Sequence, residues 1–133
     1  MIKFKNICPN LKNLWVTGCV HMGHKNICKG VSSWEGEGSL GCRDFETLEQ
    51  MNQTLVDNIN KYVKESDVLI QLGDWSFGGI ENISKFRNQL NVKTIHAVEG
   101  NHDFHLDELK SVFTTYQQLL YAKCEGIELF CSH

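Results

Sequence analysis

The sequence lacks the features that mark membrane and secreted proteins. No apolar run among its 133 residues approaches the ~18 residues of a membrane span. The first nine residues are interrupted by lysines and by Pro9, the one proline, so they do not form the apolar stretch of a secretion signal. We therefore expect a protein of the cytoplasm that has no membrane partner.

The chain also lacks a cluster of positive charge. Its formal net charge is −3, and its 13 Lys and Arg residues are scattered along the sequence. A protein that binds extended nucleic acid needs a basic stripe or patch. The composition therefore argues against that class of partner and leaves a small phosphorylated substrate open.

A third absence concerns the cysteines. Six are present, an even number that would predict disulfides in a secreted chain, but no two are spaced as Cys-x-x-Cys. Without that spacing a structural zinc knuckle is not expected. Without a secretion signal, reduced thiols are expected.

What the sequence does contain is a regular alternation of strand and helix patterns. Short branched apolar runs closed by glycine predict strands, and apolar residues that recur every three or four positions predict helices. In chain order we expect a strand at 14–17, a helix from an Asp44 cap to near Glu65, a strand at 68–72, a helix at 80–90, a strand at 94–98, a weak helix at 106–113, and a hairpin of strands at 118–123 and 127–131. This order predicts a single domain, residues 1–133, of the α/β class, with a mainly parallel sheet and helices packed on it.

Polar residues follow four of these strands at the points where they end. Because the carboxyl ends of parallel strands meet at one edge of a sheet, we expect these side chains to gather there. They are Cys19, His21 and His24 after the first strand, Asp74 after the second, Asn101, His102 and Asp103 after the third, and His133 after the last. Carboxylate, amide and imidazole donors suit Mn, Fe or Zn, with Mg or Ni also allowed. These residues predict a metal site.

Asp74 is the residue around which this site would be built. A carboxylate has two oxygens, so it can bridge two cations that together activate a water for hydrolysis of a phosphoester. His102 would then protonate the leaving oxygen or donate to the developing charge, with Asp103 orienting it. His24 and Arg43, on the long glycine-containing loop after the first strand, are candidate contacts to a substrate phosphate.

Two glycine-led motifs and one histidine element resemble the calcineurin-like metallophosphoesterases. They are Gly73-Asp74, Gly100-Asn-His-Asp103 and the first-strand element that ends in His21. The segments 17–27, 43–45 and 72–79 also resemble the small phosphohydrolases common in bacteriophage genomes. If a phage encodes the chain, the expected cytoplasm is that of the host.

The resemblance implies a fold, an activity and a set of ligands. The chain would form the N-terminal part of a metallophosphoesterase αββα sandwich and hydrolyse a phosphomonoester or phosphodiester of a small molecule or nucleotide. It would bind two divalent metal ions (Mn, Fe, Zn or Ni, with Mg allowed), and His102 would be catalytic. The first ion would be held by His21 and Asp74, and the second by Asp74, Asn101 and His133.

The sequence departs from the family pattern in two places. Cys19 stands where the family usually has Asp, and a thiolate there would still bind zinc or iron but would shift the preference among metals. No Gly-His-x-His element follows, because the sequence stops at His133. We therefore expect a chain truncated on its C-terminal side and without the second sheet layer. A homodimer would cover the apolar sheet face left bare.

These departures leave other functions open. One is a catalytically inactive relic of the fold that acts as a binding or scaffold module and holds a single structural ion. Another is a single-ion redox or thiol site that uses Cys19. Metal-activated hydrolysis is common to nucleotides, nucleic-acid ends and phosphoproteins, so the residues predict a chemistry rather than a substrate.

Overall fold

The computed structural model describes residues 1–103 and 106–133. Two β-sheets lie at its centre, and the helices that pack on them alternate with strands along most of the chain. The strands are β1 (Lys5–Cys8), β2 (Leu14–Thr17), β3 (Val68–Leu72), β4 (Thr94–Val98), β5 (Thr115–Gln117), β6 (Leu120–Cys124) and β7 (Ile127–Cys131), and the helices are α1 (Leu48–Tyr62), α2 (Gly79–Asn88) and the short α3 (Leu106–Leu109).

The larger sheet has four parallel strands in the order β2-β3-β4-β5. β3 is an interior strand, which explains why its sequence is a nearly continuous apolar run. It pairs with β4 from Val68 opposite Thr94 to Leu72 opposite Val98, so the two strands end together. The predicted α/β class with a mainly parallel sheet is confirmed.

Helices α1 and α2 cover one face of this sheet. Val56 of α1 and Ile83 and Phe86 of α2 share a core with Leu69 and Ile95, which project from β3 and β4. These buried positions recur with helical spacing in the two helices and alternate along the strands. The sequence patterns therefore identified both helices, although in α1 they did not include the buried Val56 and did include Tyr62, which is exposed.

The start of α1 differs from the prediction. Its N-cap is Thr47, whose hydroxyl accepts a hydrogen bond of 3.1 Å from the backbone N–H of Gln50. Asp44 instead lies in a segment paired with the preceding loop, where Lys29 donates its backbone N–H to Arg43 and its ammonium to the Asp44 carboxylate. The predicted Asp44 cap was wrong because this loop pairing holds residue 44 outside the helix.

A second sheet covers the opposite face of the larger one. Its strand order is β1-β6-β7, with β1 parallel and β7 antiparallel to β6. Ile70 and Val98 of the larger sheet are fully buried in a cluster with Leu120, Ala122 and Cys131 of the smaller one. Each aliphatic side chain buried in this way contributes ~1.5–3 kcal/mol. The expectation of a missing second layer and a bare sheet face was wrong.

One group of exposed apolar side chains lies on the second sheet, while others, among them Val16 and Tyr62, lie on β2 and α1. Phe4, Tyr121 and Phe130 form a group of edge-to-face rings, with centroids 4.9 Å apart for Phe4 and Phe130 and 5.4 Å apart for Tyr121 and Phe130. Phe130 is 65% exposed. Within residues 1–103 and 106–133, no helix combines the length and apolar character needed to cross a bilayer.

Candidate metal centre

The loops that follow β2 and β3 run side by side beyond the ends of these strands. The backbone N–H of Cys19 donates to the carbonyl of Gly73 at 3.2 Å, and that of His21 donates to the carbonyl of Asp74 at 2.9 Å. The parallel pairing of the two strands is thereby continued into the loops. These bonds fix the backbone positions from which the side chains of Cys19, His21 and Asp74 extend.

Three residues at this edge have left-handed backbone conformations. The φ angles of Cys19, His21 and Asp74 are 51°, 52° and 54°. A non-glycine residue in this region costs on the order of 1–3 kcal/mol and persists only where the surroundings enforce it. Such strain is concentrated at functional sites, and here it turns three potential ligands toward one another.

The first group of donor atoms comes from these three residues. Ligand atoms of Cys19, His21 and Asp74 all lie within 4.8 Å of one another. His21 Nε2 is 3.5 Å from Asp74 Oδ2. Asp74 is buried, His21 is half-buried and Cys19 is exposed, so the group opens to solvent on the cysteine side.

The second group of donor atoms shares the same carboxylate oxygen, Asp74 Oδ2. His133, which follows β7 of the smaller sheet, has its Nε2 3.4 Å from Asp74 Oδ2 and 2.9 Å from Asn101 Oδ1. Its Nδ1 is 2.7 Å from the backbone carbonyl of Leu72. A carbonyl can only accept, so Nδ1 carries a proton, and in the neutral imidazole Nε2 then presents a lone pair to the two oxygens.

This donor arrangement fits divalent cations. Three acceptor atoms that face one another repel unless a cation or a shared proton lies between them. Ligands ~2.0–2.2 Å from one ion are about 3 Å from each other, close to the separations at Asp74, Asn101 and His133. The predicted convergence of four strand ends is therefore present, although the last strand belongs to the second sheet.

Two glycines allow the loops after β3 and β4 to touch. Gly73 has a φ of 87°, and a Cβ there would lie 2.5 Å from His133 Nδ1 and 2.7 Å from the Cα of Gly100. A Cβ on Gly100 would overlap the backbone nitrogen and the carboxylate of Asp74. The two glycines therefore give Asp74 and His133 the space in which they meet.

The side chain of Asp103 joins the same two loops by hydrogen bonds. Its Oδ2 accepts from the backbone N–H groups of Gly100 at 2.7 Å and Asp74 at 2.8 Å, and its Oδ1 accepts from that of Trp75 at 3.2 Å. The carboxylate is buried, and these bonds satisfy both of its oxygens. Asp103 was predicted to orient His102, and the structure directs it instead to the backbone that carries Asp74.

Arg43 supports the other loop in a similar way. Its Nη1 donates to the carbonyl of Val20 at 2.6 Å and its Nη2 to that of Cys19 at 3.0 Å. It was predicted as a phosphate contact. Its guanidinium contacts the backbone of the segment that carries Cys19 and His21, and burial lowers its pKa.

His102 lies at the mouth of the site. Its backbone N–H donates to Asp74 Oδ1 at 2.9 Å, and its exposed ring has its centroid 5.8 Å from that of His21 and 5.1 Å from that of Phe77. Phe77 also contacts the ring of His24, with centroids 4.1 Å apart. The three imidazoles thus surround one phenyl ring beside the two donor groups.

The pKa values of two of these histidines are lowered. At His21 the largest cause is burial, which outweighs the opposite effect of the Asp74 carboxylate. At His24 burial is again the largest cause, followed by the charge of His102. Both shifts favour the neutral imidazole, which is the form that binds a metal ion.

Two contributors to the site were not among the predicted residues. The ring of Trp34, 44% exposed, meets that of His24 at 5.6 Å. The buried Gln71 accepts from the N–H of Gly73 at 3.0 Å and donates back to its carbonyl at 2.5 Å. Trp34 is an aromatic residue in the glycine-containing loop, and this could have marked it as a candidate, whereas no sequence pattern pointed to Gln71.

Comparison with known protein families identifies one match. A family model described as calcineurin-like phosphoesterase matches residues 12–131. The uncharacterized protein MJ1445 of Methanocaldococcus jannaschii is 28% identical over 96 residues, which are 71% of this chain and 48% of that protein. The chain therefore spans about half the length of the curated relative that it matches.

A solved structure has the same fold. The crystal structure of the protein of unknown function AQ665 from Aquifex aeolicus superposes with a TM-score of 0.64 and 20% sequence identity. The match covers 90% of this chain and 59% of that one.

Proposed function

Because the chain belongs to the calcineurin-like phosphoesterase family, we propose that it hydrolyses a phosphomonoester or phosphodiester with a pair of divalent cations. One observation carries this proposal. The same oxygen of Asp74 lies 3.5 Å from His21 Nε2 and 3.4 Å from His133 Nε2, so one buried carboxylate is shared by two donor groups.

The ligands divide between two positions around that oxygen. His21, Asp74 and Cys19 would hold one ion, and Asp74, Asn101 and His133 the other. Mn, Fe, Zn or Ni suit these donors, with Mg also allowed. When bound, such a pair lowers the pKa of a shared water and offsets the charge of phosphate oxygens.

We assign His102 the proton transfer to the leaving oxygen. Its backbone is fixed by the N–H bond to Asp74, while its ring is exposed beside the donor groups and free to meet a substrate. Asp103 acts as a positioning residue because it holds the loops of Asp74 and Gly100 in contact. His24 is our candidate for a phosphate contact, and Arg43 acts on this site through the Cys19 loop.

The substrate we propose is a phosphorylated small molecule or a nucleotide rather than extended nucleic acid. The net charge of −3 disfavours a long polyanion. We further propose a cytoplasmic enzyme of the bacteriophage type. A homodimer stays a prediction. Because the second sheet covers the face first expected to be bare, we propose that the dimer would form through the surface of Phe4, Tyr121 and Phe130.

The test measures metal content and hydrolysis on the same samples. We expect about two ions per chain by elemental analysis and cleavage of bis(p-nitrophenyl) phosphate or p-nitrophenyl phosphate. His102→Gln should keep its metal and lose about 10²-fold or more in rate, the range for a general acid. Asp74→Asn should lose metal and activity together, whereas Asp57→Asn on the exposed face of α1 should change neither.

Three results would count against the proposal. A wild-type chain that binds no metal and cleaves neither ester would reject it. A chain that binds metal but is inert with both esters would indicate the binding or scaffold module. Equal rates for wild type and His102→Gln would reject the assignment of His102.

A further inference from the structure

Building on the proposed function, we propose that the two cation positions differ in chemical class. Cys19 gives the first position a sulfur ligand and makes it selective for thiophilic and borderline cations such as Zn²⁺, Co²⁺ or Fe²⁺. The second position has only oxygen and imidazole donors and accepts Mn²⁺ or Mg²⁺. The chain would therefore favour a mixed-metal centre.

The location of the Cys19 sulfur is the first argument. It belongs to the group in which all ligand atoms lie within 4.8 Å of one another. The backbone of Cys19 is held on both sides, through its N–H to Gly73 and through its carbonyl to Arg43 Nη2. With φ at 51° the residue is in a conformation that these bonds must enforce. The sulfur is thus directed to the site by backbone contacts.

The second argument compares the six thiols. Cys8, Cys28, Cys124 and Cys131 are buried, Cys42 is half-buried, and Cys19 is the exposed one. Burial raises the pKa of Cys131, and it raises that of Cys124 to about 11, so both stay protonated core residues. Cys19 instead is exposed within the first group of ligand atoms, where a cation from solvent can reach its sulfur.

The third argument is the contrast between the two donor groups. Thiolate and imidazole are ligands of zinc and of the later transition metals, whereas carboxylate and amide oxygens are those of Mg²⁺ and Mn²⁺. The Asn101 carbonyl oxygen and His133 Nε2 complete the second group without any sulfur. Since Asp74 Oδ2 is common to both groups, Cys19 and Asn101 carry most of the difference.

The test follows the sulfur by its spectrum. Metal-free chain is titrated with Co²⁺, and absorption in the near ultraviolet reports a thiolate bound to cobalt. We expect this band to saturate at about one equivalent in the wild type. It should be absent in Cys19→Ser and unchanged in Cys42→Ser, the matched control in the same loop, where a hydroxyl can replace the thiol bonded to Asn26.

Selectivity is measured by competition. Chains equilibrated with equal Zn²⁺ and Mn²⁺ are desalted and analysed, and we expect about one zinc and one manganese in the wild type. Cys19→Asp restores an oxygen ligand and should shift the ratio toward manganese by at least ~10-fold, the lower end of what ligand surroundings contribute to metal affinity. Circular dichroism on each variant verifies that it is folded.

The outcomes separate this proposal from the proposed function. If wild type and Cys19→Ser bind two cobalt ions with the same spectrum, Cys19 is not a ligand and the inference fails, although the hydrolase proposal stands. If Cys19→Asp leaves the zinc-to-manganese ratio unchanged, the selectivity argument fails. If the wild-type chain binds manganese but neither cobalt nor zinc, the inference fails and the hydrolase proposal stands, and if it binds none of these cations, both proposals fail.

Discussion

Replacing Asp103 by Asn tests whether one buried carboxylate holds the metal-binding loops together. The substitution keeps the shape of the side chain and removes its charge. Asp103 accepts three backbone N–H groups, two at Oδ2 and one at Oδ1. An amide has one acceptor oxygen and one donor group. In its best orientation it therefore keeps the two bonds at the Oδ2 position and turns its NH₂ toward the N–H of Trp75.

The expected cost follows from these bonds. A hydrogen bond to a charged group contributes ~1.5–3 kcal/mol, and a buried donor left without a partner costs ~1–3 kcal/mol. The two bonds that remain become weaker because the acceptor is neutral, while loss of a buried charge offsets part of the damage. We expect Asp103→Asn to lower the free energy of unfolding by about 3 kcal/mol.

Urea unfolding of the metal-free chain measures this value without a contribution from bound cations. With a urea dependence of ~1–3 kcal/mol per molar, the midpoint should fall by about 1–3 M at unchanged slope. The control is Asp107→Asn, an exposed carboxylate paired with Lys110, which should change stability by less than ~0.5 kcal/mol. If the midpoint for Asp103→Asn equals that of the control, Asp103 does not hold the two loops together.

Three further predictions concern the surroundings of the site. His133→Ala should reduce the bound metal, measured by elemental analysis, from two ions to one. If the variant retains both ions, His133 is not a ligand. Gly100→Ala should abolish metal binding because the new Cβ overlaps Asp74, whereas Gly41→Ala, where a Cβ meets nothing within 4 Å, should bind normally. Burial, and after it the charge of Lys5, lowers the pKa of His96. As the pH falls, the unfolded chain therefore binds a proton at this residue before the folded chain does, and stability should decrease below about pH 6.5. In urea unfolding at pH 7.5 and 5.5, His96→Gln should lose less stability than the wild type; an equal loss would contradict this assignment.

The elements found from the sequence are those whose signal is local. β3, β4 and the hairpin of β6 and β7 are apolar runs bounded by glycine or polar turns, and α1 and α2 have a clear helical period. β1 and β5 were missed. β1 pairs Lys5 with Ala122, far along the chain, and β5 has three residues, so neither run is long enough to show a period. The second sheet was missed because its third strand is β1, whose pairing with β6 joins distant parts of the chain.

The positions of the site residues could be predicted from the sequence, but some of their side-chain contacts could not. Positions at strand ends follow from topology, which is why Cys19, Asp74 and Asn101 were expected to meet. The bonding of Asp103 and Arg43 did not follow, because both side chains contact backbone groups more than 20 residues away in the sequence. A residue type reveals that a carboxylate or guanidinium is present, but its direction depends on where distant backbone donors and acceptors lie.

The left-handed residues link the fold of this edge to its chemistry. Among residues 1–103 and 106–133, four non-glycine residues have positive φ, and all except Glu125 of the β6–β7 turn are proposed ligands. Bonds between protein groups hold them: the N–H groups of Cys19 and His21 pair with the β3 loop, and Asp103 accepts from the N–H of Asp74. Because these bonds do not involve a cation, the protein supplies the energy that orients the ligands. A cation would then meet ligands already in place, and little of its binding energy would be spent on ordering them.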